Sequence, residues 1–541
     1  MKLCNPVAGQ LADRQFDYFI ILLLFLLAII SINLRGLIPY DETRYLAVAW
    51  EMWRDNHFLI PRINGEIYAD KPPLLFWLIN VNWFFIGPNE WFPRAIPFIF
   101  STINIFLTRY IALKLWPEYP QLKQFVPLVL LAMPLWFLYS TPLMFDMFQT
   151  FLILIAIIGL FNFNYTFRGP ILYGTAIGLG FLLKGPVILL YVLPLAITLP
   201  AWNKGYTYGY GKLTVQIIAS LILAFIIISI WIIPVIHAMG MEKIKSLFLH
   251  QTADRIVNAS SHSRPMWWYL YFLPAILFPW FYKKNFLLSL KIKPSRISPQ
   301  ILFCILWLFI PFIFFSIIDA KQLHYLLPLL PALAILISYK LVINQHIESN
   351  KNNSLISIIY IFAGIIFLVY ILFANKPDHK SWIIDIPLWW TFIAIFIGLI
   401  LIFYKGKLTQ LPVFLPGIMT IILLFSLYIC VLIAPRPFTD IDNFSKILSS
   451  LQKQNIPLGN IGTNREQFEF PGRLKIPLDK VNTRDIKNWA EQHPNGFLIA
   501  KIKESEYNKN KINVFYLQPY RFKHMLILIS SEDILKNKYS L

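Results

Sequence analysis

Charged residues and cysteines are scarce in this chain of 541 residues. Only 14% of the residues are charged and only three are cysteines, whereas 57% are hydrophobic. Soluble domains are roughly half apolar and a quarter charged, so this balance excludes a soluble globular class and also intrinsic disorder. Three scattered cysteines exclude a disulfide-stapled fold, because such folds are dense in cysteine. The composition indicates an integral membrane protein.

Acidic residues are also few compared with basic ones. The 28 acidic residues are outnumbered by 48 basic residues, which gives a formal net charge of +20. On a soluble chain this excess would suggest nucleic acid, but on a membrane chain it favours anionic lipid headgroups and phosphate-bearing substrates. We therefore expect membrane lipids, and no nucleic acid, among the partners.

Long apolar runs predict the membrane-spanning helices. The first run covers residues 16–34 and lacks a small-residue cleavage pattern, so we expect a retained helix and not a signal peptide. Further runs of sufficient length cover residues 91–115, 124–140, 143–163, 170–183, 185–199, 214–236, 267–282, 300–317, 325–342, 354–374, 384–404 and 411–433. We expect about thirteen spans, within about two, because short pieces punctuated by proline and glycine can be split or merged.

The connecting loops predict the orientation. With a cytoplasmic amino terminus, the basic connections at residues 283–296, 340–351 and 405–407 all lie inside the cell. An odd number of spans then places the carboxyl terminus outside, on the side of the first loop at about residues 35–90. That loop is itself basic, and we expect its charges to form a binding site; they are Arg35, Arg44, Arg54, Arg62, Lys71 and Arg94.

The composition becomes polar from about residue 435. Alternating stretches at residues 496–502, 513–517 and 524–530 predict strands, and the patterns at 444–454 and 483–492 predict helices. We therefore divide the chain into a transmembrane domain, residues 1–434, and a small soluble α/β domain, residues 435–541. The sequence has no Walker motif, GxGxxG motif, zinc-type spacing or Ser-His-Asp arrangement.

Ionisable residues near membrane depth are the candidate functional groups, because charge is costly there unless it is paired or hydrated. They fall at helix ends or in loops on the predicted outer side: Asp41, Glu42, Lys71, Asp146, Lys184, His250, Arg255, His262, Lys321, His324 and Tyr325. The middles of the spans are almost free of charge, which argues against a proton relay. A transporter or lipid flippase would show inverted repeats or an energy-coupling motif, and neither is found.

Asp41 begins a predicted amphipathic helix. One face of that helix carries Tyr45, Val48, Ala49 and Met52, and its tryptophans Trp50 and Trp53 suit the membrane interface. We expect the helix to lie along the outer membrane surface. Two interpretations of Asp41 stay open: an N-cap for the orphan amides of this helix, with Arg44 as a snorkelling anchor, or a functional carboxylate.

Four further residues each have a functional and a structural interpretation. Lys71 precedes two prolines that hold it extended, so it is either a phosphate donor or a solvated lysine. Asp146 has no charged neighbour within twenty residues on either side, which favours a functional carboxylate. Lys184 is similarly isolated and is either functional or a snorkelling lysine at a helix end. Arg255 suits a bidentate phosphate contact or a solvated surface.

The order and spacing of several segments resemble the GT-C glycosyltransferases that use a polyprenyl-phosphate sugar donor, in particular the lipid A aminoarabinose transferases and the protein O-mannosyltransferases. The first group of segments is Tyr40–Tyr45, Pro61–Gly65, Tyr68–Pro73 and Trp77. Later ones are Asp146, Gly180–Gly185, His250 with Arg255, His262–Trp268 and Lys321–Tyr325. The resemblance covers about residues 16–340 and implies a polytopic α-helical GT-C fold with amphipathic periplasmic helices.

The resemblance also implies roles for single residues. Asp41 would be the key carboxylate and Asp146 a second acidic residue of the cavity. The donor phosphate would be held by Lys71, Arg255, Tyr325 and Lys184. Other cavity residues would be Glu42, Arg44, Tyr45, His262, Lys321 and His324. A divalent metal would bind Asp70 and His250, where Asp70 replaces the family's glutamate by a shorter side chain.

The function implied is a bacterial inner-membrane glycosyltransferase with its active site facing the periplasm. The expected reaction moves a sugar, 4-amino-4-deoxy-L-arabinose first among the candidates, from undecaprenyl phosphate to lipid A. A protein hydroxyl, O-antigen or another envelope glycan is the alternative acceptor. A catalytically inactive lipid-binding scaffold is a different class, and the presence of both Asp41 and Asp146 argues against it.

Overall fold

The computed structural model describes residues 6–164, 167–242, 263–282, 297–343, 354–373, 387–404, 411–433, 436–462, 467–510, 513–521 and 524–536. The predicted site residues His250, Arg255 and His262 lie outside these ranges, as do the basic connections at 283–296 and 405–407.

The described part of the chain before residue 434 is almost entirely helical. Its α-helices are α1 Pro6–Leu34, α2 Asp41–Arg54, α3 Leu74–Ile86, α4 Trp91–Leu115, α5 Leu122–Leu131, α6 Pro134–Tyr139, α7 Asp146–Phe161, α8 Arg168–Lys184, α9 Val187–Ile197, α10 Leu199–Trp202, α11 Tyr210–Met239, α12 Leu273–Ile276, α13 Pro299–Ile317, α14 Leu330–Ile343, α15 Ser354–Phe373, α16 Trp389–Phe403 and α17 Leu411–Ile433. Three 3₁₀ segments, Trp268–Tyr271, Trp280–Tyr282 and Leu323–Leu329, interrupt this series.

Among the described residues, six helical segments are long and apolar enough to cross a membrane: Arg14–Leu34, Trp91–Leu115, Tyr210–Met239, Pro299–Ile317, Leu323–Ile343 and Leu355–Phe373. Large apolar side chains on α11 point away from the protein, as Ile230 at 72% exposed shows. On a helix long enough to cross a bilayer, an exposed apolar surface of this kind is typical of contact with lipid. The predicted class of polytopic helical membrane protein is confirmed.

Some predicted spans are shorter or broken. The prediction of one helix over residues 267–282 is wrong, because two 3₁₀ turns and the four-residue α12 replace it around Pro274 and Pro279. The predicted span 124–140 divides into α5 and α6, where Pro134 takes the first turn of the second helix. Helix α9 has only 11 residues, a length of about 17 Å at 1.5 Å per residue, too short to cross the bilayer alone.

Helices α8 and α11 pack against each other at Gly174. A Cβ atom at this position would lie 2.4 Å from the carbonyl oxygen of Ser220 on α11. Only glycine permits this approach, since real Cβ atoms essentially never come so near another heavy atom. The contact holds the first half of α8 close to α11.

The first loop folds into α2, a two-stranded hairpin and α3. The strands β1 Arg62–Ile63 and β2 Glu66–Ile67 are antiparallel. Asn64 and Gly65 join them with φ of 52° and 79°, the left-handed values that an Asn-Gly hairpin turn requires. The predicted apolar face of α2 is confirmed, because Tyr45, Val48, Ala49 and Met52 are all buried.

The carboxyl-terminal part contains a five-stranded sheet with helices on both faces. Its elements are α18 Arg436–Thr439, α19 Asp442–Lys453, β3 Leu458–Ile461, α20 Glu469–Gly472, β4 Asp479–Val481, α21 Ile486–Gln492, β5 Phe497–Lys503, α22 Glu504–Asn510, β6 Tyr516–Tyr520, β7 His524–Ser530 and α23 Ser531–Lys536. The strand order is β4-β3-β5-β7-β6. Strand β3 is parallel to β4 and β5, and β7 is antiparallel to β5 and β6. The sequence prediction missed β3 and β4, which have only four and three residues.

This sheet region packs on α2, on α3 and on the hairpin between them. The Nε1 atom of Trp50 donates to the carbonyl oxygen of Leu474 at 2.9 Å, and Trp83 stacks on Phe470 with ring centroids 5.2 Å apart. Asn64 forms two hydrogen bonds with the backbone of Leu478. Trp50, which the sequence assigns to the membrane interface, therefore contacts protein instead. The soluble part lies on the same side as Asp41.

Candidate active site

Asp146 and Lys184 form a buried ion pair at the ends of two neighbouring helices. Asp146 is the first residue of α7 and Lys184 the last residue of α8. The Nζ atom of Lys184 lies 2.6 Å from Oδ1 of Asp146, and the two side chains are 14% and 4% exposed. In the sequence each of the two residues stands apart from other charges, and the fold brings them together across 38 positions.

Aromatic and imidazole groups of the 3₁₀ segment Leu323–Leu329 cover this pair. The Nζ atom of Lys184 lies 5.5 Å from the ring centroid of Tyr325, a cation–π distance. His324 is buried beside Tyr325, with ring centroids 4.7 Å apart, and lies within electrostatic range of Asp146, Lys184, Asp41 and Lys71. The predicted residues Asp146, Lys184, His324 and Tyr325 are therefore neighbours.

Asp41 lies at the edge of this group and is accessible. Its Oδ1 atom accepts a hydrogen bond from Nη2 of Arg44 at 2.7 Å, and its side chain is 48% exposed. Tyr40 precedes α2 and no side chain caps the helix, so the N-cap interpretation of Asp41 is wrong. The Arg44 guanidinium lies 5.2 Å from the ring of Tyr45. Burial raises the pKa of the Tyr45 hydroxyl above its ordinary value, which is already well above neutral pH.

Glu42, the next residue, does not line the cavity, and the prediction that it does is wrong. Its side chain is fully buried and pairs with the Arg35 guanidinium through both carboxylate oxygens. The backbone amides of Ile38 and Leu143 also donate to it, each at 2.8 Å. Burial alone would raise the pKa of Glu42, but the charge and hydrogen bonds of Arg35, with the Arg94 charge and the Ile38 amide, together outweigh burial. The pKa of Glu42 therefore lies below its ordinary value. Glu42 joins the entry of α2 to the loop that precedes Asp146.

Lys71, on the segment before α3, lies near the same group of residues. Its Nζ atom lies 5.8 Å from the ring centroid of Phe145, the residue before Asp146, and Lys71 is within electrostatic range of that carboxylate. Phe145 also meets the ring of Tyr45 edge-on at 4.8 Å. The aromatic side chain of Phe145 thus joins the Lys71 segment to α2.

Lys321 is not a cavity residue, and the prediction that it is one is wrong. Its Nζ atom donates to the carbonyl oxygens of Arg264, at 2.9 Å, and Ile318, and the residue is only 3% exposed. Lys321 therefore joins the loop at residues 263–264 to the end of α13 and does not project into the cavity.

The resemblance implies a divalent metal on Asp70 and His250. Asp70 is half-buried beside Lys71, and His250 lies outside the described residues. Within the described ranges, no three His, Cys, Asp or Glu side chains are close enough to share a metal ion. The described residues alone do not make a metal site, so we derive no chemical step through a metal.

Sequence reasoning missed two tyrosines at this site. The Tyr191 hydroxyl donates to the carbonyl oxygen of Tyr325 at 2.9 Å, and the ring of Tyr139 lies 5.9 Å from that of His324. Tyr139 is the last residue of α6 and is followed by Ser-Thr-Pro, on the predicted outer side. That position at a helix end could have indicated a functional residue from the sequence. Tyr191 has no such signal, because an aromatic residue inside an apolar run is ordinary.

Several basic residues of the first loop pair with other groups of the protein. Arg94 is buried and donates to the carbonyl oxygens of Ser31 and Arg35, each at 2.8 Å, and Arg54 pairs with Asp55. With Arg35 committed to Glu42, three of the loop's basic residues are internal. The prediction that all of them form a binding site is wrong. Arg62 is exposed on β1, and only Arg44 and Lys71 lie near Asp41 and Phe145.

Comparisons with known proteins agree with this architecture. No family model matches the chain. An undecaprenyl phosphate-alpha-4-amino-4-deoxy-L-arabinose arabinosyl transferase of Pseudomonas savastanoi pv. phaseolicola is 27% identical over 407 residues, 70% of this chain and 73% of that protein. The protein of the same name from Wigglesworthia glossinidia brevipalpis is 25% identical over 580 aligned positions, covering 98% of this chain and 99% of its own length.

Solved structures extend the likeness to three dimensions. The crystal structure of ArnT from Cupriavidus metallidurans bound to undecaprenyl phosphate matches with a TM-score of 0.75 at 17% identity, over 96% of this chain and 98% of that one. Its apo structure matches with a TM-score of 0.74 at 16% identity, over 98% and 99% of the two chains. The chain is a homologue of the arabinosyl transferases and has the GT-C fold. In this GT-C homologue, Asp41, Lys71, Asp146 and Lys184 are grouped at the end of the bundle that faces the soluble region.

Proposed function

We propose that this protein is a membrane glycosyltransferase that transfers 4-amino-4-deoxy-L-arabinose from undecaprenyl phosphate to lipid A. The observation that carries the proposal is the likeness over the whole chain to an arabinosyl transferase, 98% of this chain and 99% of that protein. The site supports it, because the acidic and basic side chains of Asp41, Lys71, Asp146 and Lys184 gather at the end of an otherwise apolar bundle.

The reaction is proposed to take place on the periplasmic face of a bacterial inner membrane. The positive-inside bias of the connections at residues 283–296 and 405–407 supports this orientation. Asp41 and the soluble region then lie together outside the cytoplasm, where an outer-leaflet lipid acceptor would be.

The donor half of the site is proposed to hold the phosphate that leaves. Breaking the anomeric C–O bond passes through an oxocarbenium-like state, and negative charge builds on the departing phosphate. Fixed ammonium groups stabilise that charge, and Lys71 lies beside Phe145 while Lys184 lies beside Asp146. Tyr325, with Arg255 from outside the described residues, completes the proposed set. The ArnT structure with the same fold was bound to undecaprenyl phosphate, which supports this donor class.

Asp41 is proposed to act on the acceptor side. Its exposed carboxylate is held by Arg44 and lies within electrostatic range of His324. A phosphate acceptor is already ionised at neutral pH, so Asp41 would orient it or stabilise positive charge on the sugar. A hydroxyl acceptor would instead need Asp41 as a general base. The expected outcome at the anomeric carbon is inversion.

A divalent ion on Asp70 and His250 is a separate proposal. Such an ion would screen the negative charges of two lipid phosphates that meet in one site. Chelation followed by readdition of single metals tests it: loss and recovery of transfer support the ion, and full activity after exhaustive chelation contradicts it.

Mass spectrometry of lipid A tests the proposed function. The cells make the aminoarabinose donor, lack their own transferase and express either this protein or its Asp41→Asn variant at matched membrane levels. A mass increase of one amino-pentose with the unsubstituted protein only is the expected result. Unmodified lipid A with the protein present would contradict the acceptor assignment and direct the search to proteins, O-antigen and other envelope glycans in the same cells.

A further inference from the structure

One face of the soluble sheet changes from apolar to basic along its length. Side chains alternate between faces along a strand, so Ile499, Lys501 and Lys503 of β5 share a face. The register pairs Lys503 with His524 and Lys501 with Leu526 on β7, which places His524 on this face as well. Ile499 and Leu526 belong to the apolar core under α19, whereas Lys501 and Lys503 are exposed.

The basic end of this face meets the residue before Asp41. The Nζ atom of Lys501 donates to the Tyr40 hydroxyl at 3.3 Å. The Cζ atom of Arg521, from the turn between β6 and β7, lies 4.4 Å from the centroid of the Tyr40 ring. Tyr40 therefore connects the proposed catalytic carboxylate to two cations of the soluble region.

The four positive or ionisable groups affect one another. Burial, together with the charges of Lys501, Arg521 and Lys503, lowers the pKa of His524, so its ring is neutral at physiological pH. The carboxylate of Glu506 lies 3.6 Å from Lys503, but the two side chains are 54% and 65% exposed. An exposed pair of this kind is weak, and one carboxylate beside three cations leaves the cluster positive.

We propose that Lys501, Lys503, Arg521 and His524 form a binding surface for a phosphate of the anionic acceptor lipid. Arg521 offers a planar fork that suits bidentate contact with phosphate, the two lysines offer ammonium donors, and the His524 ring offers one N–H. The surface would place the acceptor headgroup at Asp41, and the soluble region would thereby select the acceptor. This inference rests on the proposed function, because it assigns the acceptor half of that reaction.

The position of the surface favours the acceptor over the donor. The cations near Asp146 are Lys184, whose Nζ atom lies 2.6 Å from its Oδ1 atom, and Lys71, and both belong to the part of the chain before residue 434. The cations of the sheet instead contact Tyr40, the residue that precedes Asp41. Two anionic lipids that meet at Asp41 need separate phosphate sites, and these two groups of cations provide them.

Native mass spectrometry of the purified full-length protein in detergent tests this surface without requiring transfer. The probes are bisphosphorylated lipid A, lipid A from which both phosphates have been removed, phosphatidylglycerol and undecaprenyl phosphate. We expect the protein to retain bisphosphorylated lipid A about tenfold more than the dephosphorylated form, since charge-assisted contacts are lost with the phosphates. The variant Lys501→Glu/Arg521→Glu should lose this difference and keep undecaprenyl phosphate.

Matched variants separate charge from fold. Lys501→Arg/Arg521→Lys keeps both charges and should keep lipid A, and Lys487→Glu on α21 makes one of the same charge changes at an exposed site away from this face. Lys503→Gln/His524→Gln is the milder test if charge reversal prevents folding, and it should reduce retention several-fold. Undiminished retention in a folded reversal or glutamine variant would overturn the surface. Equal retention of phosphatidylglycerol would overturn its assignment to the acceptor. Because no transfer is measured, either result is distinguishable from failure of the proposed reaction.

Discussion

The Nζ atom of Lys184 lies 2.6 Å from Oδ1 of Asp146 in the interior of the bundle. Removing one partner of a buried pair leaves the other charge unpaired, at a cost of about 3–5 kcal/mol. We therefore expect Lys184→Met to lower the free energy of unfolding by about that amount. The double variant Asp146→Asn/Lys184→Met should recover most of the loss while remaining inactive. Unfolding in detergent, together with transfer assays, measures both effects.

Lys487→Met is the matched control for this pair. Lys487 and Glu491 lie 3.9 Å apart on the exposed surface of α21, with exposed fractions of 76% and 55%. Such a pair contributes little, so the control should unfold like the unsubstituted protein. A Lys184→Met protein as stable as this control would show that the buried pair does not stabilise the fold.

The adjacent carboxylates Asp41 and Glu42 should respond in opposite ways to amide substitution. Asp41→Asn should abolish transfer, because it removes the carboxylate that the proposed mechanism needs. Since Asp41 is 48% exposed, the same change should alter the free energy of unfolding by less than about 1 kcal/mol. Glu42 is fully buried against Arg35, so Glu42→Gln should cost several kcal/mol of stability, about 3–5 by analogy with other broken buried pairs. Unfolding and transfer are measured on both variants. An active Asp41→Asn enzyme would remove this carboxylate from the proposed mechanism.

Sequence patterns predicted much of the fold because burial has a simple periodic signature. The apolar face of α2, the helix Pro299–Ile317 and strand β7 are all present where the pattern places them. The breaks inside the membrane were harder to predict, because the short helix α9 and the turns around Pro279 have the same composition as a full span.

The candidate site was predictable only in part, for a related reason. Residue type and isolation pointed to Asp146 and Lys184, but pairing across 38 residues depends on how α7 meets α8. Asp41 and Glu42 are neighbours of the same charge in the sequence. Only the packing of α2 shows that one faces the cavity and the other faces Arg35.

Lys71→Ala should weaken use of the lipid-phosphate donor. A charge-assisted contact with phosphate contributes about 1.5–3 kcal/mol, so the donor KM should rise roughly 10- to 150-fold. Lys71→Arg keeps the charge and should retain part of the affinity. Steady-state kinetics over a range of donor concentrations measures the change, with Lys475→Ala on the exposed soluble region as control. A donor KM like that of the control would place the phosphate elsewhere.

The free energy of unfolding should depend on pH through Asp442, at the start of α19. Burial, with the nearby carboxylates Asp440 and Glu90, raises the pKa of Asp442 to about 6 in the folded protein. A carboxyl group with a raised folded pKa binds its proton more tightly when folded, so its contribution to stability is greatest at low pH. That contribution falls as the pH rises from about 4, the unfolded value, through about 6, and Asp442 is destabilising at pH 7. Asp442→Asn should therefore stabilise the protein at pH 7 and have little effect near pH 4. Unfolding of both proteins across this range measures the difference, and a stabilisation that did not change with pH would contradict the raised pKa.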